Sequence, residues 1–435
     1  MNGEADAVVI GAGVIGAAVA LELSRRGVRT VVVDKIPAAG HGPTGNSCAI
    51  IRLHYSSLDG VAMAYEGAFY WRDWENYLGI VDELGMARYV DTGMILLKSA
   101  TNHHLKAQAH YTTLGIPFEE WSREQLAERM PIFDLHAYWP PKRPGDPDFS
   151  KRSGATIDGA IFTPESGYIV DPALANHNVQ RAAEKLGARF EFGRRVVEVL
   201  SDAERVRGVR LEDGTTIDAP IVVNVAGPHS YVLNRMAGVE DDMNVKTRAL
   251  RHEVHHVPAP EGFDFEADGC TTSDGDTGIY FRPASGNHIL VGSEDPECDP
   301  RVWVQEPDHY QRTVTESQWE TQVHRLALRI PSLKIPTERK GIVDLYDVAD
   351  DWIPIYDKSS LPGFYMAIGT SGNQFKNAGV VGELMAELIT RVEDGHPHDE
   401  DPVRLPARYT GFELDAGFYS RLRTINRNSS FSVRG

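Results

Sequence analysis

Three glycines and an acid near the start of the chain have the spacing of a phosphate cradle. Gly11-x-Gly13-x-x-Gly16 follows a short apolar run, Ala7 to Ile10, and opens a helical stretch that stops at Gly27. A second apolar run, residues 28–33, ends at Asp34. Each part has a job. Gly11 permits a tight turn, Gly13 lets backbone approach a pyrophosphate, and Gly16 lets the helix lie close on the strand. The helix start, at Val14 and Ile15, offers free N–H groups and the positive dipole end to phosphates. Asp34 can accept hydrogen bonds from a ribose hydroxyl and would repel a 2′-phosphate. Strand, glycines, helix, strand and acid in this order point to a bound dinucleotide, without separating FAD from NAD.

Other chemistry-bearing groups carry less. Arg251-His252-Glu253-Val254-His255-His256 suggests a metal, but on a strand His252 and His256 share a face while His255 points away. That leaves two imidazoles roughly 13 Å apart, too far for one ion, so no metal is expected. His252 and His54 remain candidates for the active site. The three cysteines, Cys48, Cys270 and Cys298, form neither a disulfide framework nor a CxxC site and suit a reducing compartment.

The elements that must position these groups alternate along the chain. Residues 61–80 and 174–186 have helical periodicity, and 135–160, rich in Pro, Gly and Asp, is a long loop, either a lid or a surface excursion. Short strands fill 190–226, the last running into Ala226-Gly227-Pro228, a small-residue turn that again suits close approach to a cofactor. RHEVHHV, GIYFRPA and HILVGSE predict an antiparallel sheet outside the dinucleotide fold. Residues 363–369 make another strand, 370–376 a polar turn, and NAGVVGELMAELIT a helix. The expected fold is α/β: a Rossmann-type dinucleotide domain from residues 1–85, 155–230 and 335–435, with an α+β substrate domain from 86–154 and 231–334 built on a mostly antiparallel sheet.

Composition sets the outer bounds. The 435 residues are about three times the ~150-residue single-domain norm, so two domains are expected. With 42% apolar and 24% charged residues the chain is ordinary globular protein. A net charge of −18 argues against a nucleic-acid partner. Glu4 and Asp6 stand where a signal peptide needs positive charge. The apolar run Ala7–Leu21 falls short of the ~18–20 residues that span a bilayer. A soluble cytoplasmic protein is expected.

Four motifs in order resemble the FAD-dependent amine and amino-acid oxidoreductases of the D-amino-acid oxidase superfamily, in the sarcosine oxidase and dimethylglycine oxidase branch. They are GAGVIGAAVALELSRRG with Asp34; GPTGNSCAIIRLHY at 42–55; GIYFRPA with ILVGSEDP at 278–296; and YDVADDWIPIYD with GFYMAIGTSGNQFKNAGVVGELMAELI at 346–389. The family commonly reads G-x-S-G-x-G-F-K before its last helix; here Asn373-Gln374 replaces the inner pair while Phe375 and Lys376 are kept.

The resemblance implies FAD, and noncovalent binding is expected because Asp344 stands where monomeric sarcosine oxidases have their flavin-linking cysteine. It assigns Lys35, Asn46, Ser47, Cys48, Ala226, Gly227 and Gly369 to the cofactor, and the Val197 backbone to the adenine. It also implies that Ser371, Gly372, Asn373, Gln374, Phe375 and Lys376 cap the flavin edge, the first four through N–H groups. Arg52 and Lys376 match the residues that take the substrate carboxylate, as a planar fork and a point charge. Tyr346 and Tyr280 are candidates for shaping the pocket. No triad is needed, since a hydride leaves the carbon beside the amine for flavin N5 and the imine hydrolyses later.

Three departures stand out. Leu290 matches a lysine credited with oxygen activation, so oxidase and dehydrogenase both stay open, with O2 or another acceptor as partner. Asp344 replaces the cysteine that attaches flavin in monomeric sarcosine oxidases. Cys48 falls near a flavin-linking histidine of dimethylglycine-type relatives. The implied substrate is a small carboxylate-bearing amine, N-methylated or N-alkylated. The alternatives are a free amino acid such as glycine or a D-amino acid, a 2-hydroxy acid, and a non-catalytic flavin-binding subunit. Oligomeric state is open.

Overall fold

The computed structural model describes residues 3–202 and 204–435. Met1 and Asn2, which open the first expected dinucleotide segment, lie outside the described residues.

Two large sheets divide the chain. The first runs Arg189–Phe192, Thr30–Asp34, Ala7–Ile10, Ile221–Asn224, Phe364–Ile368 and Ile355–Lys358, parallel except for the last pair. Its strands come from the first, middle and last parts of the chain. Side-chain alternation explains why they read as continuous apolar runs. Ala7, Val9, Val32 and Val223 point into a core shared with helices Val14–Arg25, Pro172–Lys185 and Ala378–Glu393. Val8, Ile10, Val31, Val33 and Val222 pack on the other face with Val199, Val206 and Ile217 of a smaller four-stranded sheet. Both faces are covered, so both select small or β-branched apolar residues.

The second sheet has nine strands, mostly antiparallel, centred on the long strand Thr247–Pro258 and backed by helix Glu316–Arg329 through Trp319, Val323 and Leu326. Strand Ala160–Thr163 pairs with Met94–Leu97, and Gly341–Ala349 pairs with Thr247–Pro258, so both belong to this sheet. Helix Ser230–Met236 instead packs Leu233 into the dinucleotide core. The segment boundaries drawn at 155, 230 and 335 therefore fall too early. Apolar patterning reveals a strand but not which sheet hydrogen-bonds it.

Two local readings change as well. The helical stretch 61–80 is broken at Asp73 into Leu58–Arg72 and Trp74–Leu78. The 135–160 loop, read as a lid or a surface excursion, is held at its start. Buried Arg329 donates to the His136 carbonyl at 3.2 Å and to Asp276 Oδ2 at 3.0 Å, and the Asp276 carboxylate accepts in turn from Tyr138 N–H at 2.8 Å and Trp139 N–H at 3.0 Å.

Candidate active site

A cavity of about 800 Å³ runs across the carboxyl ends of the parallel strands, the usual place for a ligand in an open α/β sheet. At one end lies the glycine turn. A Cβ on Gly11 would sit 2.3 Å from the Val225 carbonyl oxygen, and one on Gly16 1.9 Å from that of Gly11, so these two glycines close the turn. A Cβ on Gly13 would meet only Thr44 Oγ1, at 3.0 Å, so its missing side chain is what leaves the cradle open. The helix behind it starts from Gly13, which has no side chain to cap it, and carries no acid in its first turn, which leaves its N-terminus electropositive. Asp34 holds this turn while facing the cavity: its carboxylate accepts from Ala12 N–H at 2.7 Å and Ile36 N–H at 2.9 Å. Val14, Ile15, Val197, Ala226 and Gly227 line the same end. The shape and donor set fit the ADP half of FAD.

Lys35 also lines this end, within a latch that only the tertiary structure builds. Asp308, from a loop after the second sheet's edge strand, accepts from Lys35, from Arg195 at 2.9 Å and from His229 Nε2 at 3.0 Å. Burial works against the Asp308 charge, but these three donors outweigh it and hold the carboxyl well below its usual range.

Midway, Asn46, Ser47 and Cys48 form one wall. Asn46 Nδ2 donates to Asp344 at 2.6 Å, and Tyr310 OH donates to the other oxygen at 3.1 Å. Cys48 Sγ is 3.6 Å from Tyr280 OH, and burial pushes its thiol up. Tyr280 and Tyr346 both face the cavity because glycines make room for their rings. A Cβ on Gly292 would collide with the Tyr280 ring, and one on Gly372 with the Tyr346 ring.

The far end is cationic. Arg52 is buried and stacks 4.5 Å over the Tyr55 ring, donating to the His54 carbonyl at 2.5 Å and to the Val433 carbonyl. Lys376 Nζ donates to Tyr55 OH at 2.8 Å and the Asn373 carbonyl at 2.7 Å. Burial, reinforced by the Arg52 charge, pulls the Lys376 ammonium well below its usual value, and burial and Arg52 pull His54 the same way. Burial lifts the Tyr55 hydroxyl to about 12. Beside them, His252 stacks on Tyr346 at 4.4 Å, with Nε2 3.2 Å from Asp295.

The expected donors of the 370–376 turn need correction. Ser371 and Gly369 do not line the cavity, whereas Gly372, Asn373, Gln374, Phe375 and Lys376 do. The Ser371 N–H is spent on the Asp347 carbonyl at 2.7 Å, the Asn373 N–H on Thr370 at 2.9 Å, and the Gly369 N–H on Asp347 Oδ2 at 2.6 Å. Ser371 sits at φ +47°, so the turn folds its amide inward to close on itself. Leu290 likewise lies outside the lining, paired across the sheet with Arg282 and His256. Missed from the sequence were Thr44, which caps Val14 N–H at 3.1 Å, and Glu294, Asp308, Val433 and Arg434. Thr44 had a signal in the GPTGNS motif. The others, three charged residues and Val433, take their role from distant contacts.

Asp347 gives a pH prediction. Burial pushes its carboxyl up to about 7, against the opposing bonds from Gly369 N–H and the Ser230 hydroxyl. Between about pH 4 and 7 the folded state then holds a proton that the unfolded chain has lost, so stability falls as pH rises through that window. Asp347→Asn keeps the shape and removes the titration. Thermal unfolding followed from about pH 5 to 8 should show the wild-type Tm falling and the variant's flatter. Parallel curves would assign the pH response to other groups.

No helix among the described residues is long and apolar enough to cross a membrane. The chain is 23% identical over 400 residues to the pyruvate dehydrogenase phosphatase regulatory subunit, mitochondrial, of Mus musculus, covering 89% of this chain but 41% of that protein. It is 22% identical over 405 residues to glycine oxidase of Geobacillus kaustophilus, covering 89% of this chain and 93% of the oxidase. The fold matches the crystal structure of L-proline dehydrogenase from P. horikoshii with a TM-score of 0.75 at 20% identity, covering 97% and 98% of the two chains. The family model for FAD dependent oxidoreductases matches residues 6–388, and with the glycine cradle, Asp34 and the cavity in place, the chain belongs to that family.

Proposed function

We propose that this chain oxidises the C–N bond of an N-alkylated amino acid, of the sarcosine or dimethylglycine kind. The observation that carries the reading is the buried guanidinium of Arg52 beside Lys376 at the far end of the cofactor cavity. FAD, when bound, supplies a two-electron acceptor that takes hydride from the carbon next to the amine nitrogen. The residues here supply orientation and charge. Arg52 holds the substrate carboxylate by its planar fork, with the Lys376 amine as a neighbouring donor. The burial and the Arg52 charge that depress Lys376 and His54 would likewise favour a substrate amine bound in its neutral form, with the nitrogen lone pair free. Tyr280 and Tyr346 wall the pocket and keep water from the reacting carbon until the imine leaves. L-proline dehydrogenase, similar in fold, acts by its name on a secondary amine that carries a carboxylate.

Anaerobic additions of sarcosine, dimethylglycine, proline, glycine, D-alanine and 2-hydroxyglutarate, followed by flavin absorbance, test this. Bleaching by the N-alkylated acids supports amine oxidation, and readmitted air then separates oxidase from dehydrogenase. Bleaching by glycine or D-alanine alone would move the substrate to a primary amine. A folded yellow protein that nothing bleaches would favour a flavin-binding subunit.

One observation favours a second reading. Oxidation of a 2-hydroxy acid needs a base for the hydroxyl proton. The sequence offered His252 and His54 as active-site candidates without placing either clearly as that base; His252 faces the cavity with Asp295 on one ring nitrogen and the other buried without a partner. Bleaching by 2-hydroxyglutarate alone would select that reading.

Noncovalent flavin is a further expectation. The Asp344 position cannot form a thioether, and burial disfavours the Cys48 thiolate. Acid precipitation should release all the flavin, and Cys48→Ser should bind as much FAD as wild type. Yellow precipitate from wild type but not from the variant would show a bond at Cys48.

A further inference from the structure

The guanidinium fork of Arg52 is engaged by a segment of the chain itself. Arg423 is tied to Asp351 at 2.8 and 3.0 Å, and from there residues 424–435 pass Trp352 into the far end of the cavity. The Val433 carbonyl accepts from Arg52 Nη2, and the Arg434 carbonyl accepts from Ser56 N–H at 3.2 Å. The Arg434 guanidinium stands 3.1 Å from Glu294 Oε2 inside the cavity.

This docking is imperfect. Arg434 Nε and Nη1 and Glu294 Oε2 are buried without a well-aligned hydrogen bond, the kind of residue that costs stability. Phe431 sits at φ +48°, unfavourable for a residue with a Cβ. The outer attachments include Lys106 on the Asn428 carbonyl at 3.0 Å, Arg301 on the Phe431 carbonyl, Ser429 Oγ on the Asp351 carbonyl at 2.6 Å, Asn426 N–H on Asp351 Oδ2 at 3.2 Å and Ser56 Oγ on the Gly435 carbonyl.

We propose that residues 424–435 are a displaceable strap that competes with the substrate carboxylate for Arg52, an inference that rests on the carboxylate role given to Arg52 above. A neutral carbonyl gives a guanidinium one hydrogen bond, whereas a carboxylate takes the fork bidentately and with full charge. The docked strap is therefore the low-affinity state, and apparent affinity falls with the fraction of molecules in which it is open. Opening also returns the Arg434 guanidinium, which belongs to the segment, to water.

The test uses holoprotein and (methylthio)acetate, a carboxylate with no C–N bond to oxidise. Binding is read from flavin absorbance, and strap opening from deuterium uptake in peptides spanning 426–435. Saturation should raise uptake there. Arg301→Ala and Lys106→Ala, which cut outer attachments, should raise uptake without ligand and tighten Kd several-fold, up to about tenfold. Uptake that falls or stays level at saturation would overturn the strap, showing that the carboxylate binds with the segment in place. Unchanged affinity in both variants would also count against it. No spectral response at any concentration would instead remove the carboxylate subsite itself, and both readings with it.

Discussion

Arg52→Met should lower kcat/KM for amino-acid substrates by about 10²- to 10³-fold. Removing one partner of a buried, hydrogen-bonded charge pair costs about 2–5 kcal/mol, and each 1.4 kcal/mol is about tenfold. The loss should fall on both constants. KM rises because the carboxylate loses its charged partner, and kcat falls because a substrate held at one point less presents its reacting carbon less often. Arg52→Lys should recover only part of the loss, since an ammonium keeps the charge but not the fork. The variant also gives up two bonds to backbone carbonyls, His54 and Val433, so flavin content and Tm are measured alongside. Full activity in Arg52→Met would end the carboxylate assignment. A fall in Tm and flavin content that accounts for all of the lost activity would make Arg52 structural.

Gly13→Val should yield folded protein without flavin, with affinity for FAD reduced at least about 100-fold. The three turn glycines differ in what a side chain would strike. At Gly16 and Gly11 a Cβ would run into backbone oxygen, so substitution there disrupts the turn itself. At Gly13 the only neighbour is Thr44 Oγ1, and a valine would project into the cradle where the pyrophosphate belongs. Far-UV circular dichroism should match wild type while the flavin-to-protein ratio drops toward zero. Stoichiometric FAD in Gly13→Val would mean that this turn does not hold the phosphates. Gly16→Ala serves as the contrast, losing fold and flavin together because its Cβ would lie 1.9 Å from the Gly11 oxygen.

The two experiments bear on different links of the argument. The glycine variant tests the cofactor site, which the family assignment already supports. The arginine variant tests the substrate end, where identities near 22% carry fold rather than specificity. Colourless Gly13→Val protein together with unaffected Arg52→Met kinetics would leave a flavoenzyme whose substrate has no carboxylate.

Much of the cofactor half was legible in the residues themselves, because its logic is local. Strand Ala7–Ile10, the glycine turn, helix Val14–Arg25 and Asp34 follow one another within 28 residues, and each has a steric or dipolar reason to be what it is. Burial of both sheet faces made the strands near 7, 30, 221 and 364 readable as apolar runs. The substrate half was not local. Ala160–Thr163 and Gly341–Ala349 look like any other strands until their hydrogen-bonded neighbours are known. The amides of Ser371 and Asn373 were assigned outward by motif, and only a backbone that folds back on Asp347 and Thr370 shows them spent. Asp308, Glu294 and Arg434 reach the cavity through contacts more than a hundred residues away in sequence. The sequence by itself determined the dinucleotide cradle and the class of sheet, since both follow from spacing and burial over short stretches. The tertiary structure alone decided which charges meet at the substrate end, because long-range packing, not periodicity, brings Arg52, Lys376 and the 424–435 segment into one cavity.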